Sequence, residues 1–234
     1  MSMDCDLVIF DCDGVLVDSE MLSCRCLVEL LGRHGIEADL DTVFDKFLGR
    51  SVDSVAEHYG AFGRVLPKEF LEELRGMVRR SFTASLQAIP NVAEVLASLG
   101  VAYCVASSSD LERIEFSLEL TGLSPLFKGR VFTSQMVERG KPAPDLFLHA
   151  ARCMKVAPER TLVIEDSVSG VQAGKAAGMT VWGFVGGGHY ASRDGRALLM
   201  AAGADRVFDW MADFWRKEAD TVNEIVIRQR QITP

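Results

Sequence analysis

The chain reads as an α/β protein: a Rossmann-like parallel sheet with helices on both faces, plus a small all-helical cap. Three observations predict this. From residue 91 onward, short apolar runs alternate with helical patterns, which signals a parallel sheet crossed over by helices. Three runs end in polar, chemistry-bearing residues: Leu7-Val8-Ile9-Phe10 before Asp11-Cys12-Asp13-Gly14, Val101 to Ala106 before Ser107-Ser108-Ser109, and Leu162-Val163-Ile164 before Glu165-Asp166-Ser167. Between the first run and the rest lies a block with helical periodicity and no strand-like run. The expected division is a core of residues 1–16 and 88–234, with a cap of residues 17–87 inserted after the first strand.

The elements follow in order. The run before Asp11 has the length and β-branched, aromatic content of a strand buried on both faces. Helical patterning then covers 20–31, closed by Gly32 and Gly35, and recurs over 40–47, 52–58 and 67–82. The core resumes with a helix at 91–99, the strand ending at Ala106, a helix at 111–120 and a strand at 131–133. A helix at 145–154, the strand ending at Ile164, a helix at 168–177 and a strand at 180–185 complete the pattern. Residues 229–234 are expected to fray.

Composition sets bounds on partners. With 234 residues and 48% hydrophobic content, the chain can bury a full core. A net charge of −8 argues against broad nucleic-acid or anionic-membrane binding. It leaves room for a small anionic substrate at a locally positive site. There is no apolar run of about 18 residues, and the acidic start Met1-Ser2-Met3-Asp4-Cys5-Asp6 is unlike a signal peptide. A cytoplasmic monomer or weak homodimer is expected. The six cysteines show no CxxC pair and read as buried reduced thiols. His34, His58, His149 and His189 lack ligand spacing and read as structural or exposed.

If the three runs lie parallel in one sheet, Asp11, Asp13, Glu165 and Asp166 gather along the edge where open α/β sheets bind ligands. Two unit charges about 4 Å apart cost roughly 4 kcal/mol at an effective dielectric near 20, so the cluster calls for a cation. An all-oxygen donor set favours Mg²⁺ over Zn²⁺. Mg²⁺ shared between carboxylates and substrate phosphate oxygens points to a phosphate ester.

Asp11-Cys12-Asp13-Gly14-Val15-Leu16-Val17-Asp18-Ser19 resembles the first motif of the haloacid dehalogenase superfamily, in the phosphatase branch with a helical cap. Ser107 resembles its second motif, Lys141 in Gly140-Lys141-Pro142-Ala143-Pro144-Asp145 the third, and Glu165-Asp166 the fourth. The resemblance implies phosphoryl transfer through an aspartyl-phosphate on a small phosphorylated metabolite, such as a sugar or sugar-acid phosphate. Dehalogenases do not need the second acid of the first motif, and transport ATPases carry Thr there, so Asp13 argues against both. The chain is also similar to β-phosphoglucomutases. However, no histidine lies between Asp13 and His34 where those enzymes use a cap histidine, and Arg50 is displaced from their cap arginine. Hydrolysis is therefore expected, with mutase-like transfer or a non-catalytic binding protein as the alternatives.

The residues suggest roles on chemical grounds. Asp11, ionised at neutral pH, suits the nucleophile. Asp13 suits the general acid and base, a role needing a raised pKa that neighbouring anions would supply. Lys141 can balance charge, and Ser107 with the backbone amides after it can donate to the phosphoryl group. Asp11, the Asp13 carbonyl and Asp166 form the expected metal set, with Glu165 acting through a water on the ion. For substrate contacts the candidates are Arg50 in the Gly49-Arg50-Ser51 turn, Asp18, Ser19 and Glu20 at the core-to-cap passage, and Ser108. Each also has a plain reading: a solvated arginine, a helix cap, a turn. The stretch Gly186-Gly187-Gly188-His189 follows a strand and is either a loop near the site or a simple turn.

Overall fold

The computed structural model describes residues 5–215. Residues 229–234, expected to fray, lie outside them. In chain order the elements are β1 (Leu7–Phe10), α1 (Glu20–Arg33), α2 (Leu40–Phe47), α3 (Asp53–Ala61), α4 (Phe70–Ser85), α5 (Val92–Ser98), β2 (Ala102–Ser107) and α6 (Leu111–Leu120). They continue as β3 (Val131–Thr133), α7 (Asp145–Cys153), β4 (Thr161–Glu165), α8 (Val168–Ala176), β5 (Thr180–Phe184), α9 (Gly195–Ala201) and β6 (Arg206–Phe208). The six strands form one parallel sheet in the order β3-β2-β1-β4-β5-β6. The α/β expectation holds. The last helix and strand among the described residues, α9 and β6, lie beyond the expected pattern, being only seven and three residues long.

The sheet is apolar on both faces, and successive residues of one strand serve different cores. Val8, Phe10, Val105, Leu162 and Ile164 pack into one cluster, while Leu7, Ile9, Cys104, Val163 and Val181 pack into the other. That two-residue period, with both sides covered, explains why the strands read as unbroken apolar runs. Each fully buried Leu, Ile or Phe contributes roughly 1.5–3 kcal/mol.

Helices α1 to α4 enclose a third cluster that includes Leu27, Leu30, Leu31, Phe44, Phe70, Leu74 and Phe82. Helix α4 starts at Phe70 rather than 67 because Pro67 forms a preceding turn, its carbonyl accepting from the Phe70 amide. The two chain crossings between this block and the sheet run side by side. The Asp18 amide donates to the Gln87 carbonyl and the Ile89 amide to the Leu16 carbonyl, each at 2.9 Å.

Five of the six cysteines are buried, as expected, but Cys153 is exposed. Among the described residues no helix is long and apolar enough to cross a membrane.

Candidate active site

Strand β1 lies between β2 and β4, so the carboxyl ends of all three meet. Asp11 is the first residue past β1, and its amide donates to the Ile164 carbonyl at 2.9 Å, holding the loop start against β4. Glu165 ends β4, with Asp166 immediately after it. Ser107 ends β2. Asp11, Asp13, Lys141, Glu165, Asp166, Ser107 and Ser108 are all buried.

Lys141 joins the ends. Its Nζ lies 2.6 Å from Asp11 Oδ1, 2.6 Å from Glu165 Oε1 and 3.1 Å from the Ala106 carbonyl. The loop before α7 therefore delivers one ammonium to three strand ends. Burial opposes the charge on Lys141, but Asp11 and Glu165 outweigh it and drive its pKa above the usual lysine range. Glu165 Oε2 also accepts from the Ser167 amide and hydroxyl, each at 2.9 Å. Burial pushes Asp11 well above the ordinary carboxylate range, and the Lys141 charge only partly offsets it.

Asp13 departs from expectation. Its Oδ1 accepts from Ser19 Oγ at 2.6 Å and from Arg113 Nη2 at 2.8 Å, and its Oδ2 accepts from Ser109 Oγ at 2.6 Å. Burial alone would raise its pKa, but Arg113 and these hydrogen bonds prevail and hold it below the carboxylate range. A raised pKa was expected from neighbouring anions; an arginine 100 residues away reverses the sign.

The carboxylates that could together hold a metal ion are those of Asp11, Glu165 and Asp166; Asp13 was expected to offer its backbone carbonyl there, not its carboxylate.

The substrate candidates divide. Ser19 is fully buried and makes no capping bond; its hydroxyl donates to Asp13. Ser108 Oγ donates to the Gly49 carbonyl at 2.9 Å, tying the turn after α2 to the core. Gly49, at φ +71°, makes that approach possible, because a Cβ there would meet Ser167 Oγ at 2.2 Å. The Arg50 side chain is exposed. Asp18 Oδ1 accepts from the Gly188 amide at 2.9 Å, which brings the 186–189 loop to the site. Ser107 Oγ accepts from the Ser109 amide at 3.1 Å.

A family profile described as haloacid dehalogenase-like hydrolase matches residues 5–178. The chain belongs to this family of hydrolases. It is 33% identical over 189 residues to a 6-phosphogluconate phosphatase of Escherichia coli, covering 79% of this chain and 84% of that one. A phosphorylated carbohydrates phosphatase of Thermotoga maritima is 31% identical over 207 residues, covering 84% and 91%. The crystal structure of a haloacid dehalogenase-family hydrolase from Deinococcus radiodurans, with bound phosphate and sodium, superposes with a TM-score of 0.72 at 36% identity, covering 91% and 94%. These relatives place the chain among the phosphatases of the haloacid dehalogenase-like hydrolases.

In this hydrolase the site fits a hard divalent cation. Both carboxylate oxygens of Asp166 are buried without a hydrogen-bond partner. Oxygens of Asp11, Glu165 and Asp166 lie within 4.8 Å of one another. Lys141 pairs with Asp11 and Glu165; with Asp166 also ionised the group would carry two surplus negative charges, and burial together with that repulsion pushes Asp11 and Asp166 upward, a cost that a dication beside them would relieve. Gly14, at φ +75°, is required beside them, since a Cβ there would come within 1.9 Å of Asp166 Oδ2.

Sequence reasoning missed Ser109 and Arg113, and named Glu20 and His189 without their contacts. Ser109 stood third in a serine row and Arg113 in the first turn of α6, with no local mark of a shared target. His189, read as structural, is fully buried with its Nε2 3.1 Å from Asp166 Oδ2; the glycine run before it was the available signal.

Proposed function

We propose that the protein is a Mg²⁺-dependent phosphatase that hydrolyses a small phosphorylated sugar or sugar acid through an aspartyl-phosphate at Asp11. The observation that carries this reading is Lys141 Nζ held 2.6 Å from both Asp11 and Glu165, beside the unpartnered carboxylate of Asp166. A carboxylate nucleophile, a fixed cation and an open oxygen ligand at one sheet edge suit attack on a dianionic phosphate. The carbohydrate class draws support from the two relatives whose names specify such substrates.

In the first step an Asp11 oxygen forms a bond to phosphorus while the bond from phosphorus to the ester oxygen breaks. The departing alkoxide takes a proton from Asp13. In the second step water attacks phosphorus and gives a proton to Asp13, the acyl-phosphate bond breaks, and Asp11 is regenerated with release of phosphate. The low pKa of Asp13 in this structure suits its role as base in the second step. Its role as acid requires that the carboxylate exchange Arg113 for a proton. Asp11, Asp166 and the Asp13 carbonyl would hold Mg²⁺, which supplies neutralisation of the phosphoryl oxygens and of the surplus carboxylate charge. Lys141 keeps Asp11 oriented, and the Ser107 hydroxyl and nearby amides donate to the phosphoryl group. The helical block of residues 17–87 acts as the cap that excludes water.

The test is phosphate release from a panel of hexose, hexitol and aldonic-acid phosphates and an aryl phosphate, with and without Mg²⁺, beside Asp11→Asn. Release that depends on both Mg²⁺ and Asp11 is expected. Release that survives Asp11→Asn removes the aspartyl-phosphate route.

A further inference from the structure

The loop after β5 grips Asp166 at two points. Tyr190 Oη donates to the Asp166 backbone carbonyl, and His189 Nε2 approaches Asp166 Oδ2 at 3.1 Å. His189 is fully buried and Tyr190 nearly so. Both imidazole nitrogens, like both Asp166 oxygens, lack an aligned hydrogen-bond partner. A small turn of either side chain would align them. Two polar groups buried this deeply, this close and both unsatisfied are costly unless a further charge completes the arrangement.

The surroundings are shaped to hold that ring. A Cβ at Gly187 would meet His189 Cε1 at 2.7 Å and Nδ1 at 2.8 Å. A Cβ at Gly14 would meet His189 Cε1 at 3.1 Å, and one at Gly195 would meet the Tyr190 ring at 2.3 Å. The Gly188 amide, bonded to Asp18, pins the loop to the first-motif segment. Glycines thus clear the space beside His189 at two points and beside Tyr190 at a third.

We propose that His189 and Tyr190 are positioning residues for the divalent cation, clamping Asp166 by side chain and backbone so that Oδ1 is presented to the metal. A ring N–H donated to Oδ2 occupies that oxygen and fixes the carboxylate plane, and Tyr190 fixes the peptide from which the carboxylate projects. Hydrogen-bonded partners of ligating carboxylates orient them and tune affinity in this way. The clamp rests on the Mg²⁺ reading above and adds residues outside all four motifs.

The test is the dissociation constant of Mg²⁺, and of Mn²⁺, measured by titration calorimetry on the full chain without substrate. The proteins are the wild type, His189→Gln, His189→Leu and Tyr190→Phe, with the thermal midpoint of each metal-free protein recorded alongside. His189→Leu keeps volume but loses the donor, and it is expected to weaken binding about 10- to 100-fold. His189→Gln, which retains an N–H, should lose less. Tyr190→Phe removes only a hydroxyl and keeps the test open if the Leu variant does not fold; it too should weaken binding. Wild-type affinity in Tyr190→Phe and in whichever His189 variants fold overturns the clamp, as do equal losses in the Gln and Leu variants. A wild type that binds neither ion defeats the metal reading itself, a separate outcome.

Discussion

Arg113 Nη2 lies 2.8 Å from Asp13 Oδ1 and 3.0 Å from Ser23 Oγ, and its guanidinium sits 5.0 Å from the centre of the Phe82 ring. One side chain from α6 therefore touches Asp13, the proposed general acid, together with α1 and α4 of the helical block. Asp13 is ionised in this state because Arg113 opposes the upward push of burial.

Replacing Arg113 by Met removes that opposition. The folded-state pKa of Asp13 should rise, so the acid limb of the kcat profile moves to higher pH. In the wild type the depressed pKa contributes stability that is present above the unfolded value of about 3.8 and lost as pH falls through the lower folded value. That acid-side loss should shrink in Arg113→Met. Superimposable pH–rate profiles would show that Arg113 does not govern Asp13.

Asp11→Asn should lower turnover by at least about 10⁴-fold while leaving the fold intact. Asp13→Asn should cost about 10² to 10⁴. A burst of phenolate from an aryl phosphate resolves the two, because a phenolate leaves without a proton and only the Asp13 variant can still form the covalent intermediate. An Asp11→Asn protein with near-normal rates contradicts the nucleophile assignment.

Lys141→Met leaves Asp11, Glu165 and Asp166 buried with no ammonium between them. Breaking a buried ion pair from one side costs about 3–5 kcal/mol, and urea unfolding of the metal-free protein at pH 8 should show a loss of that order. The loss should shrink toward pH 4, where protonation relieves the carboxylates. A loss independent of pH would mean that packing, not charge, is the contribution of Lys141.

Glu20 opens α1, is buried, and has Cys24 Sγ as a weak donor 4.0 Å away. Burial, helped by Asp13 and Asp166, pushes its pKa from 4.5 up to about 8. A raised carboxyl favours the folded state fully below pH 4.5, and that advantage is lost as pH climbs toward about 8. Glu20→Gln should therefore gain stability relative to the wild type between pH 5 and 8.5, by at most about 5 kcal/mol. Equal pH dependence of the two proteins in urea unfolding would exclude this assignment.

Strands β1 to β5, helices α1 to α8 and the acids at the strand ends were legible because each is a local pattern. Leu7 to Phe10 and Leu162 to Ile164 are apolar on both faces, so their strand character and the position of the residue after them follow from a few neighbours. Asp11 and Asp166 could be named for that reason; Lys141 was named only because Gly140 to Asp145 resembles the family's third motif, and the fold brings it within 2.6 Å of Asp11. Ser19 was legible as a residue of the passage but not in its contact, since its hydroxyl turns back to Asp13 and away from any helix cap.

What only the tertiary structure decided is the electrical state of the acids. Asp13 was expected to be raised and is lowered, because Arg113 and Ser109 reach it from about 100 residues away. Asp166 meets His189 and Tyr190 through a loop that the glycines at 186–188 allow to close. The sequence by itself determined which side chains stand at the sheet edge, since strand periodicity depends on near neighbours. Which charges face one another there depends on distances across the fold, and an ionisation equilibrium responds to those distances and to burial.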